Sequence, residues 1–163
     1  MTHLKLDAQS LKMVEVQFQS LEDARAHLAD SGHFKDTASK NSWSVGKTIL
    51  HCAQSIDCSI DGFPQQKGRL FQATLGTFAF NLFKGKRKMS HNLESGIPGV
   101  EEPADSTENW LALDKLLAAI DRFSNYQGKL KPHFAYGFLS KEDFDLAHAM
   151  HIANHLNNFE IKG

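Results

Sequence analysis

Along this chain, apolar residues recur with a helical period in long stretches and with a strand-like period in one short stretch. Val14, Val16 and Phe18 alternate with Glu15 and Gln17, which predicts a half-buried strand or extended arm over 13–18. Ser20-Leu-Glu-Asp23 then has the form of a capping box and opens a helix to about Leu28, which Gly32 ends. The polar run from Asp36 to Ser42 reads as loop. A second helix is expected from about Ser44 to Asp61, stopped by Gly62 and Pro64. Its broad apolar side is Val45, Ile49, Leu50, Ala53, Ile56 and Ile60, while His51 lies nearly opposite with Thr48, Ser55 and Cys58. That second face is small and polar rather than charged, so it reads as the wall of a polar cavity.

A third helix, from about Gly68 to Phe83, carries Leu70, Phe71, Leu75, Phe78, Phe80, Leu82 and Phe83, an aromatic load that predicts core. From Gly85 to Asp105 no period is visible, and Gly96, Pro98, Gly99 and Pro103 interrupt the run. A loop of this length is uncommon in a compact domain unless it covers a site, which makes it a candidate lid, with His91 inside it. The fourth helix follows over about Ser106 to Tyr126, with Trp110, Leu113, Leu117 and Ile120 at core spacing. Ser140-Lys-Glu-Asp143 caps a fifth, whose periodic stretch runs on to Phe159. Long amphipathic helices without a convincing sheet predict an all-α helical bundle, a single domain over 1–163.

Composition narrows the function classes. The 163 residues are 41% hydrophobic with a formal net charge of −1, which implies neither a nucleic-acid nor a membrane partner. The basic run Lys84 to Lys88 has no aromatic residues threaded through it and reads as a solvated helix cap. The N-terminal residues lack the apolar stretch of a signal peptide, so a soluble cytoplasmic protein is expected. Cys52 and Cys58 would stand about 9 Å apart along one helix, beyond disulfide reach, and are expected as free thiols.

The chemistry is concentrated in the fifth helix. His148, His151 and His155 fall within a band about 60° wide, beside Phe144, Ile152 and Phe159 on the apolar side. A buried imidazole needs a partner, and His151 and His155, one turn apart, have the geometry by which a helix offers two nitrogens to one transition metal. A further ligand must come from another segment. His27 and His33 lie near the end of the first helix and read as surface residues.

Three segments together resemble a known family. They are Trp43-Ser-Val-Gly-Lys-Thr-Ile-Leu-His51, Asp61-Gly-Phe-Pro64, and the run from His133 through Tyr136, Gly137, His148 and His151 to His155. They are similar to a DinB-like branch of unassigned function within the DinB/YfiT-like metalloenzymes, and the likeness extends over nearly the whole chain. The resemblance implies a DinB-like four-helix bundle, with a short N-terminal extended segment and a long loop before the fourth helix. It also implies one divalent metal, zinc or nickel first among the candidates, held by His51, His151 and His155. His148, His133, Ser55 and Thr48 become candidates for a supporting layer or a substrate pocket. Three imidazoles leave a position open for water or substrate, so the implied activity is metal-dependent, of the hydrolase or thiol S-transferase type. Its partner would be a small-molecule substrate or a low-molecular-weight thiol. The alternative is a non-catalytic metal- or small-molecule-binding bundle. A homodimer is also expected, because a lone extended arm and exposed helix surface both favour a second copy.

Overall fold

The computed structural model describes residues 15–161, and its elements are mainly helical. Helix α1 spans Leu21–Ala29, α2 Val45–Asp61, α3 Arg69–Phe71, α4 Thr77–Lys86, α5 Asn109–Asn125 and α6 Lys141–Leu156. A π-turn over Gln72–Gly76 joins α3 to α4 as one rod over 69–86. Three helices begin as the sequence dictates, with a serine hydroxyl accepting a backbone N–H of the first turn. Ser20 takes that of Asp23, Ser44 that of Lys47, and Ser140 that of Asp143. Gly62 closes α2 at φ 113°, a conformation that strains any side chain.

Helices α1, α2, α5 and α6 share the core. Helix α2 lies along α5 and touches α6, and α1 packs on both α5 and α6. Their buried faces bring Leu21, Leu28, Ile49, Ile56, Leu116, Ile120, Phe123, Phe144 and Ile152 together. Polar ties fix the neighbours at their edges: Arg25 pairs with Asp121, Arg122 with Asp57 and Asp61, and the Leu21 amide donates to Asp145. Being exposed, these pairs set register more than stability.

Five expectations are corrected. The segment read as loop contains strand β1, Thr37–Ser39, which pairs antiparallel with β2, Phe159–Ile161, with Ala38 opposite Glu160. The last helix therefore ends at Leu156, and Phe159 is a strand residue packed edge-on against Phe34. Of the segment expected as a strand or extended arm, residues 13 and 14 lie outside the described residues, and it is only the strand alternative that is corrected. Residues 15–18 form no strand: the Val16 amide donates to Asn157 Oδ1, and its carbonyl accepts from Asn157 Nδ2. One side-chain amide thus satisfies both backbone groups that a partner strand was expected to satisfy.

The fourth correction concerns the rod. Only Gly76 and Phe80 on it are buried, whereas Leu70, Leu75 and Phe78 are 80%, 62% and 69% exposed, so its apolar load is largely surface. Trp110, expected in the core, is likewise exposed at the first turn of α5. The rod leans on the rest of the chain through Gly76, where an added Cβ would stand 2.0 Å from the Ala135 carbonyl oxygen.

Candidate metal centre

Position 51 faces inward because α2 is wedged between α5 and α6, so even the small polar side of that helix is covered. His51 is buried against the Trp43 ring, with centroids 5.3 Å apart. From α6, His151 and His155 come to meet it. His151 Nε2 lies 3.3 Å from His51 Nε2 and 3.0 Å from His155 Nε2, and one ligand atom from each ring falls within 4.8 Å of the others. Tetrahedral zinc with Zn–N bonds near 2.0–2.1 Å separates its nitrogens by about 3.3 Å, so the three imidazoles are spaced as a set that could hold one ion.

The protonation states agree with that arrangement. Burial, followed by the field of His91, lowers the His51 pKa to about 4. Burial lowers His155 to about 2, with His51 and His91 adding to the effect. His151 lies well below its ordinary value, through burial and then the neighbouring imidazoles. All three are neutral at pH 7 and keep a lone pair for ligation. The fit has one gap: His155 Nδ1 is buried without a hydrogen-bond partner among the described residues, where a metal-binding histidine usually has one.

A cavity of about 210 Å³ opens beside this cluster. His51, His151, Ser55, His133 and His148 all line it, whereas Thr48 does not, its hydroxyl donating instead to the Ser44 carbonyl. His155 sits behind the other two rings, outside the cavity lining. His148 does not join the cluster either. It is packed between Phe123 and Phe144, its Nε2 has no partner, and burial lowers its pKa to about 3. His133 is set by a tight turn in which its amide and carbonyl bond those of Gly137, a residue at φ 76°. Burial and then the nearby His148 lower its pKa to about 3 as well.

The loop expected as a lid does form the roof. Met89, His91, Asn92, Ser95 and Ile97 line the cavity from that side. It is latched rather than loose: Glu94 accepts from Ser42, Gln54 donates to the Glu101 carbonyl, and the nearly buried Lys47 pairs with Glu102 at 3.1 Å and Asp105 at 3.6 Å. Sequence spacing alone did not single out His91 as part of the centre. Its ring stands 5.1 Å from that of His151, held by an Asn154 amide that donates to its Nδ1 at 3.0 Å. Its one signal was to be a histidine inside the glycine- and proline-rich loop. Cys52 and Cys58 are buried free thiols whose pKa values burial raises, so neither is a thiolate at neutral pH.

No described helix is long and apolar enough to cross a membrane. No curated protein and no solved structure matches the chain. A family model does match, over residues 10–162, and the chain therefore belongs to the family described as protein of unknown function DUF1569.

Proposed function

We propose that the chain is a metal-dependent enzyme of the DinB-like type. His51, His151 and His155 hold one divalent ion, zinc or nickel, and leave a position facing the cavity. The observation that carries this reading is the convergence of three neutral Nε2 atoms, two of the separations being 3.0 and 3.3 Å, at the wall of a cavity large enough for a small molecule. The mutual packing of α1, α2, α5 and α6 supports a four-helix bundle as its frame. Such an ion supplies Lewis acidity, lowering the pKa of a water or thiol that enters the open position. The chain's own residues do the rest: His51 and His155 fix the centre from two helices, His151 reaches the cavity, and the latched loop limits access of bulk water. Hydrolysis of a small substrate and transfer of a low-molecular-weight thiol both fit this layout, in a cytoplasmic protein.

A second reading has its own support. Among the described residues no carboxylate lines the cavity, so no aspartate or glutamate is placed to act as general base. A non-catalytic bundle that binds a small molecule through the metal would need none. Cobalt(II) substitution separates a usable open position from a saturated site. The visible spectrum of the cobalt protein is expected to change on adding azide or a small thiol, and a spectrum indifferent to both would remove the enzyme reading.

A further inference from the structure

The half of the cavity away from the three clustered histidines has a chemistry of its own. Two imidazoles face it that the metal reading does not use, and no lysine, arginine, aspartate or glutamate is among its described lining residues. The His133 tautomer is fixed by its surroundings: its Nδ1 accepts the backbone N–H groups of Ala135 and Tyr136, both at 3.2 Å. An imidazole that accepts at Nδ1 while neutral carries its proton on Nε2, so His133 is a one-way donor there. The His148 ring also lines this half, with its Nε2 turned away from the accessible space and without a partner. The remaining wall is apolar or aromatic, with Tyr136 stacked on His133 at 4.3 Å and Phe134, Ala147, Met89 and Ile97 around it.

We infer that this half of the cavity is a recognition subsite for a compact, uncharged substrate. The His133 Nε2–H takes the substrate's neutral polar group, of the amide or ester carbonyl class, while the His148 ring and the aromatic wall take its apolar body. The inference rests on the metal reading only for where the substrate's reactive end goes. An ammonium group entering here would lose its hydration and meet no carboxylate among the described lining residues, which disfavours a cationic substrate. The size agrees: a dry cavity of roughly 150 Å³ accommodates benzene, so 210 Å³ suits a body of about eight heavy atoms. His133 thus sets specificity through its Nε2–H, and His148 through the shape of the wall.

The test compares benzamide with benzamidine, which has nearly the same shape but is cationic, titrated into the isotope-labelled full chain as purified and followed by NMR. Benzamide is expected to bind about tenfold or more tightly than benzamidine, with through-space contacts to the His133 and His148 rings. His133→Phe keeps an aromatic ring in the wall and removes the Nε2–H. It should keep the metal content while weakening benzamide binding about fivefold or more. Benzamidine binding as well as benzamide, no contacts from benzamide to those two rings, or a His133→Phe chain with undiminished benzamide affinity would each overturn the inference. The contacts in the unmodified chain decide the matter even if the variant does not fold. Metal content measured on the same samples reports separately on the three-histidine centre, because benzamide can occupy this subsite whether or not an ion is bound.

Discussion

Helix α6 and the rod over 69–86 have exchanged the environments their side chains alone would suggest. Helix α6 carries three imidazoles at positions 148, 151 and 155, His155 enclosed and the other two lining a cavity. The rod carries leucines and phenylalanines at 70, 71, 75, 78 and 82, all of them exposed. Position in the fold explains the exchange. Helix α6 lies against α1 and α2, so nearly every face of it is covered, whereas the rod reaches the rest of the chain chiefly through Gly76 and Phe80. Hydrophobicity drives burial only when another surface is there to cover it, and imidazoles tolerate burial when they share a ligand or a pocket.

The largest effect that could break this comparison is a pair of truncations. Phe144→Ala, on the enclosed helix, should lower unfolding free energy in urea by about 3–5 kcal/mol, because the cavity it leaves is fully surrounded. Phe78→Ala should change it by no more than about 0.5 kcal/mol, since that ring already meets solvent. Equal costs at the two sites would mean that the rod is covered in solution. Light scattering on Phe78→Ala sharpens this: we propose that a homodimer uses that helix face, and the variant should then dissociate more readily than the parent. A parent that is monomeric at high micromolar concentration removes the dimer. The arm gives it no support, since Asn157 already completes Val16.

A smaller, graded effect comes from pH. Burial lowers the pKa of both His133 and His148 from the ordinary value near 6.5 to about 3, so below pH 6.5 the unfolded chain binds more protons than the folded one. The contribution of these residues is therefore fully present above pH 6.5 and is lost as the pH falls toward 3. Melting temperature should be level from pH 7 to 8 and decline between pH 6 and 4, less steeply in His148→Phe. A melting temperature that rises on acidification would contradict the burial of these rings.

Both ends of α2 and the start of α6 were legible because they rest on local chemistry: Ser44, Ser140 and Gly62 act within a turn of their own positions. The His51, His151 and His155 grouping could be anticipated from the four-residue spacing on α6 together with the resemblance that supplied the third position. Strand β1 was not legible, because three residues gain strand geometry only from Phe159–Ile161, far along the chain. The exposure of Leu75 and Phe78 was missed for a related reason: a helical period marks an amphipathic face and says nothing of what lies against it. His91 enters the centre through a loop, where no period operates.

The central claim is a shared metal ion, and elemental analysis tests it most directly, on the full chain purified without an affinity tag or chelator. The account predicts close to one equivalent of zinc or nickel per chain, and its loss in His151→Ala, whose ring is the one within 3.3 Å of both other ligands. A parent chain without metal, or a His151→Ala chain with the parent's metal content, would contradict it.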